Sequence, residues 1–425
     1  MASELREYTI GDIAAVVGGS TPSTANAANF DGDIPWLTPK DLSGPHGRYV
    51  SRGARNLTEK GLESCSAQLL PAKTVLLSSR APIGYVAIAK NPIATNQGFR
   101  NLILKPGFVP EFVYYWLRAH VPELERHASG STFKELSGSA LKLIRILVPS
   151  ETTQKAIAKI LGTLDDKIEL NRQMNETLEA VARAIFKSWF VDFDPVRATA
   201  VGREPGLTKH IADLFPDRFE DLELNKIPES WRIGVVGDLG EVICGKTPPT
   251  CDPENYGAHI PFVTIPDMHG KVFVTATSKS LSSKGAATQY KKTLPSGAIC
   301  VSCIATVGLV VLTSECCQTN QQINSLIPIE PDSSFYCYFA LQRLADGIRS
   351  WGSGGSVVLN LNKGHFAALP VLVPSKAVAA GFQQLVGPIF DRILANDRES
   401  RTLAVLRDVL LPKLLSGDLP MRYRA

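Results

Sequence analysis

The sequence has no apolar stretch suited to a membrane. Its longest apolar run, residues 298–312, is interrupted by Ser, Thr and Gly and falls short of the roughly 20 residues a spanning helix needs. The opening residues, MASELREYTIGDI, hold no signal-peptide core, so the expected location is cytoplasmic, away from membranes. Cysteine is sparse and lopsided: of eight, all but Cys65 lie after residue 240. Disulfide frameworks are not spaced that way, and reduced, buried thiols are expected. Also missing are His-Glu-x-x-His, a Gly-x-Ser-x-Gly elbow, a Gly-x-Gly-x-x-Gly turn after a strand, and the acidic-Pro-Pro-aromatic segment of amino-methyltransferases. Neither a catalytic centre nor a metal site is expected. The net charge of +4 permits an anionic partner without requiring one.

What is present is a duplication. The 425 residues, 44% hydrophobic and 20% charged, exceed what one hydrophobic core usually supports, so two or more globular domains are expected. Residues 11–44 align without a gap on residues 237–270, sharing Gly-Asp, Thr-Pro and Ile-Pro, and residues 69–102 match 293–326 through Leu-Pro and Thr-Asn-Gln. Within each copy, short runs such as TVLLSS, YVAIA and NLILK, then AICVS, LVVLT and SLIPI, are punctuated by Gly and Pro, the pattern of strands and turns. Residues 112–119, 335–344 and 136–144 read as short helices.

Each copy is followed by a long helical pattern, residues 151–196 and 376–419, and the two superpose Asn171 on Asn396 and Leu178 on Leu403. The first carries apolar residues at 157, 161, 164, 168, 178, 182, 185 and 189, with Asn171 and Asn175 on the same seam. Forty helical residues would span about 60 Å, more than one domain needs for its own core, so the helices are expected to pair. The buried Asn residues would then fix register in an antiparallel pair, at a cost in stability. A single helix packed on its own domain is the alternative. Gly162 and Gly387-Pro388 are expected to break or kink the helices. Residues 194–230 lose periodicity and read as a connection.

Residues 240–247, GEVICGKT, fit a phosphate-cradling pattern, but Pro248-Pro249 follows where a helix should begin, and a turn presenting Lys246 is the better reading. Cys300 and Cys303, with the adjacent Cys316-Cys317, read as buried strand cysteines rather than metal ligands. What remains is a set of polar and basic loop residues shared by the copies: Thr21, Thr38, Lys40, Ser78, Arg80, Asn96, Gln97, Arg100, Thr132 and Lys134 in the first; Lys246, Thr264, Ser302, Asn320, Gln321, Asn324 and Ser356 in the second. Asn and Gln suit adenine, Arg and Lys suit guanine or phosphate, and Ser or Thr suits either, so the inventory fits a DNA groove. It equally fits ordinary turns and caps. The copies diverge at Arg80 against Ile304, Arg100 against Asn324 and Ser20 against Lys246, one scaffold with two lists of side chains.

Residues 170–196 (LNRQMNETLEAVARAIFKSWFVDFDPV), 410–419 (LLPKLLSGDL), 34–41 (IPWLTPKD) and 94–99 (ATNQGF) carry a resemblance: end to end, the chain resembles the specificity subunit of type I restriction-modification systems. The resemblance implies an α+β fold of two target recognition domains, related by a pseudo-twofold and separated by an antiparallel coiled coil. The matching boundaries are 1–150 for the first domain, 151–195 for the first helix, 196–230 for a linker, 231–375 for the second domain, and 376–425 for the second helix and tail. It implies a non-catalytic subunit that reads a bipartite double-stranded DNA target. Two modification subunits holding S-adenosylmethionine would dock on it, with restriction subunits using ATP and Mg, while this chain binds no cofactor. Asn171, Asn175, Leu178, Trp189, Phe190, Phe193, Asn396, Leu403 and Leu414 are the expected coiled-coil and partner-contact residues. For Trp189 to Asp194, a buried cap against the first domain is the alternative. The copies differ in Phe262 for Trp36 and QTNQQI for ATNQGF, which weakens any transfer of contacts to the second domain. The competing reading is a protein-interaction scaffold built from duplicated domains.

Overall fold

Alternating Val, Ile and Leu between Gly- and Pro-rich turns builds the same sheet twice. The computed structural model describes residues 5–44, 46–130, 134–222, 225–304, 306–352 and 361–419, with side chains except those of 221, 222, 225 and 347–352. It divides into two units, Met1–Leu170 with Ser400–Ala425, and Asn171–Glu399.

In the first unit a five-stranded sheet runs in the order Ala14–Gly18, Phe99–Leu104, Val75–Ser79, Ile83–Ala89, Tyr49–Val50. Beside it Phe30–Leu37 pairs with Arg55–Leu57 and, in parallel, with Ala94–Thr95. All five residues of Val75–Ser79 are buried, as expected for a central strand covered on both faces. One face packs against the helix Pro110–Ala119, whose Phe112, Tyr115 and Leu117 are fully buried. In the second unit the corresponding order is Gly240–Cys244, Ile323–Pro328, Ile299–Ser302, Val310–Thr313, Phe273–Val274, with Tyr256–Val263 parallel to Gln318–Thr319. The strands and short helices expected from the sequence are present, including Gly138–Leu143 and Ser334–Gly352.

The long helices run continuously over Glu151–Lys187 and Lys376–Ser416. Of the break or kink expected at Gly162 and Gly387-Pro388, the break does not occur: both helices continue through these residues. At Gly162 a Cβ would lie 2.5 Å from the Arg48 guanidinium, so this glycine provides room for a crossing arginine. Around Gly387 there is open space, and tertiary packing of Phe382, Val386, Phe390 and Ile393, all fully buried, outweighs the local cost of proline.

In the first unit the helices meet through Asp165, which accepts from Arg407 at 2.7 Å, while Leu411, Leu414 and Leu415 enter the core. In the second unit Asn171 donates to Glu399 at 2.9 Å, Asn175 donates to Asp397 at 2.7 Å, and Asn396 donates back to Asn175 at 2.8 Å. Rising numbers on one helix meet falling numbers on the other, so within the second unit the pair is antiparallel. The polar layer stands where the seam residues Asn171 and Asn396 predict it. Leu178 and Leu403 are half-buried.

The aromatic end of the first helix overturns an expectation. Trp189 and Phe190 are 2% and 5% exposed, within edge-to-face range of Phe215, Tyr336 and Phe382. Phe193, in the left-handed region at φ 57°, packs edge-on to Trp231. Trp189 and Phe190 are core of the second unit, neither a partner-facing seam nor a cap on the first domain, because Phe215 and Trp231 pack on them, and half-buried Phe193 packs on Phe219 and Trp231. The stretch read as a connection thus contains the helix Asp194–Ala200 and the hairpin Phe219–Leu222/Asn225–Pro228.

Candidate nucleic-acid interface

Three segments converge at one end of the first sheet. Thr95–Gly98 forms a turn in which Asn96 Oδ1 accepts from the Gly98 amide at 2.9 Å. Gly19 lies against it so closely that a Cβ would sit 2.1 Å from the Asn96 carbonyl oxygen; any other residue would push the segments apart. Ser20 N donates to Thr95 O at 2.9 Å, and Thr21 Oγ1 donates to Gln97 Oε1. The third segment begins at Thr38, whose amide and hydroxyl both donate to Asp41 at 2.7 Å, a reciprocal cap that closes a short turn. Lys40 projects from that turn, exposed.

The second unit repeats the arrangement. Gly245 approaches Asn320 O with room for no Cβ, Lys246 N donates to Thr319 O at 2.9 Å, and Thr247 Oγ1 donates to Gln321 Oε1 at 2.5 Å. Thr264 caps on Asp267 at 2.7 Å, and Asn320 braces Gln322. Lys246 is exposed. No helix starts there: the strand Gly240–Cys244 leads into a turn, and the next helical residues are the single turn Pro253–Asn255. The phosphate-loop geometry is therefore absent, as Pro248-Pro249 implied.

Several candidate readers have internal work instead. Ser78 and Ser302 are fully buried; each donates to a carbonyl across the following hairpin, at 2.8 and 2.5 Å, and accepts an amide at 2.8 Å. As placed, neither hydroxyl can reach a base, a correction to their assignment as contacts. Thr38 and Thr264 are caps. Asn324 is 2% exposed and donates to Leu361 O at 2.8 Å, so it fastens a loop rather than facing outward. Its counterpart Arg100 does related work: it donates to Phe99 O at 3.0 Å and to Glu135 at 2.8 Å. Arg80 lies 3.8 Å from the same carboxylate. Lys134 is exposed beside it. Thr132 and Ser356 lie outside the described residues.

The sequence pattern did not disclose Glu135, Arg48 or Asp397. Glu135 directly follows Lys134, and a carboxylate next to a basic loop residue was the available signal. Arg48, its side chain 7% exposed, donates to Tyr115 at 2.8 Å and to Asp166 at 2.9 Å; nothing in its neighbourhood in sequence marks it. The cysteines are strand residues: burial pushes the Cys300 thiol up to about 12 and Cys303 up to about 11, unfavourable for the thiolate a metal needs. Among the described residues no helix is long and apolar enough to cross a membrane.

Comparison with known proteins gives this geometry a context. The chain is 38% identical over 356 residues, 73% of its length and 78% of the relative's, to the HindI type I restriction enzyme specificity subunit of Haemophilus influenzae. It is 36% identical over 423 residues, 96% of its length and 92% of the relative's, to the MjaIX specificity subunit of Methanocaldococcus jannaschii. The fold resembles a crystal structure of a type I system S subunit from M. genitalium, with a TM-score of 0.56 at 16% identity, over 97% of this chain and 96% of that one. The family described as the type I restriction modification DNA specificity domain matches twice, at residues 2–180 and 228–406, and the chain belongs to that family.

Proposed function

We propose that the chain reads a bipartite sequence in double-stranded DNA, one half-site per strand-rich domain, and directs adenine methylation or cleavage performed by other subunits. It supplies recognition and no chemistry of its own. The observation that carries this reading is the duplicated lock, Thr21 on Gln97 and Thr247 on Gln321, set among side chains that differ between copies. A common framework with unequal exposed groups is what two unlike half-sites require. In this reading the exposed Lys40, Lys134 and Lys246 would meet phosphates and contribute salt-dependent affinity, while Arg80, Gln97 and Gln321 would address base edges.

The partners in this reading are two modification subunits, which hold S-adenosylmethionine, and restriction subunits, which use ATP and Mg. Single-molecule mapping of methylated adenines in the host genome, with and without this gene, tests the proposal. A bipartite methylated motif lost on deletion is expected; an unchanged methylation map refutes it.

A further inference from the structure

Two arginines of the first domain share one carboxylate. Arg100 Nη2 donates to Glu135 Oε1 at 2.8 Å, and Arg80 Nη1 lies 3.8 Å from Glu135 Oε2. One oxygen for each guanidinium is the arrangement a DNA phosphate would offer. The three side chains remain open to water, 37%, 19% and 38% exposed for Arg80, Arg100 and Glu135, beside the Gln97 turn, whose carbonyl Arg100 also touches at 3.5 Å.

The backbone around Glu135 does not depend on that carboxylate. Ser129 and Glu135 exchange backbone hydrogen bonds at 3.0 and 2.8 Å, and Leu136 N donates to Ser79 O at 2.9 Å. The neck of the 129–135 loop is therefore closed by main chain alone. Among the described residues of the second domain the corresponding neck bonds are uncharged: Leu361 N donates to Cys303 O and Asn324 donates to Leu361 O, while Ile304 stands where Arg80 would be. These neck bonds thus form without a carboxylate.

We propose that Glu135 is a specificity-determining positioning residue: an internal phosphate mimic that occupies Arg80 and Arg100 until a target sequence offers better acceptors. Resting on the DNA-reading function above, the mechanism is a competition. On arbitrary DNA the phosphates must displace a carboxylate already in place, so the two arginines add little; on the target, base acceptors together with the rest of the interface win. Discrimination rises because binding to the wrong sequence is weakened.

The test measures binding of the full chain, copurified with the subunits it assembles with, to a mapped target duplex and to a scrambled 30-bp duplex across a salt series. Glu135→Gln keeps an acceptor oxygen and removes the charge. It is expected to tighten scrambled-duplex binding about tenfold at low salt and to steepen the salt slope by up to about 1.8 for two added phosphate contacts. Target binding should change less, so the ratio between duplexes falls. In the wild-type background Arg80→Gln should leave the scrambled-duplex slope unchanged, whereas added to Glu135→Gln it should take back about half of the increase. An unchanged slope in Glu135→Gln, or equal losses on both duplexes with a lowered melting temperature, would make Glu135 an ordinary brace and overturn the proposal. So would a slope reduced by about 0.9 in Arg80→Gln alone, which would mean Arg80 already contacts phosphate. A wild-type protein that does not prefer the mapped target would overturn the functional reading itself.

Discussion

Asp397→Asn should stabilise the second unit, and only above mildly acid pH. Asp397 accepts from Asn175 at 2.7 Å within the helix seam, and burial pushes its pKa up from 3.8 to about 6, against the opposing pull of the Asn175 hydrogen bond and of Lys271. A carboxyl whose folded pKa is raised favours folding in its protonated form. Its contribution is complete below about pH 4 and is lost as pH rises through about 6. The gap corresponds to at most about 3 kcal/mol, and water reaching the half-buried side chain trims it to on the order of 1 to 2 kcal/mol. Asparagine offers Asn175 the same acceptor without the buried charge. Hydrogen exchange of backbone amides around Asn396, corrected for intrinsic rate, reports local opening. At pH 8 the variant should open less readily than wild type by that amount; near pH 4 the two should agree. A variant less stable at pH 8, or an advantage of equal size at both pH values, would refute the reasoning.

Replacing Trp189 by Ala should cost the second unit about 3 to 5 kcal/mol, read as a lowered denaturation midpoint; a partner-facing Trp189 would instead leave the midpoint alone and impair assembly. Gly19→Ala forces a Cβ to within 2.1 Å of a backbone oxygen and should cost about 1 to 3 kcal/mol while relaxing recognition at one half-site in the methylation map; relaxation at both would contradict the two-module reading. Deleting four residues around Asn171 and the matching four around Asn396 preserves antiparallel partners and should shorten the spacer of the methylated motif. An unchanged spacer would dissociate helix length from target geometry.

The fold was largely legible because its signals are local. Leu76 and Leu77, or Val311 and Leu312, sit in short apolar runs bounded by Gly and Pro, and such runs become central strands. The duplication was legible from shared Thr-Pro and Thr-Asn-Gln, which turn out to be the two sides of one lock. Other features depend on tertiary placement. Pro388 looked like a helix breaker because sequence shows the missing amide but not the apolar seam that holds the helix together. Trp189 and Phe190 looked like partner-contact residues because Phe215 and Trp231, which cover them, lie in and beside a stretch that reads as a connection. Ser78 and Ser302 could not be told from exposed turn serines, since their burial comes from hairpins closing over them. Asn171 and Asn175 were identified from their place in the heptad, but Asp397 and Glu399, which receive their hydrogen bonds, lie on the other helix.

The corrected site has a simpler logic than the inventory of loop residues. The hydroxyls that recur in both copies, Thr21 on Gln97 and Thr38 on Asp41, tie two segments together and close a turn, so those hydroxyls are spent inside the domain. Positions where the copies differ face the opposite demand. Ser20 against Lys246 and Arg80 against Ile304 change charge without disturbing a lock, because the backbone bonds from residues 20 and 246 to Thr95 and Thr319 are the same in both. A domain built this way can change its exposed side chains at little cost in folding. Loop exchange should therefore be attempted from residue 129 to 135 in the first domain, where the main-chain hydrogen bonds between Ser129 and Glu135 close the neck.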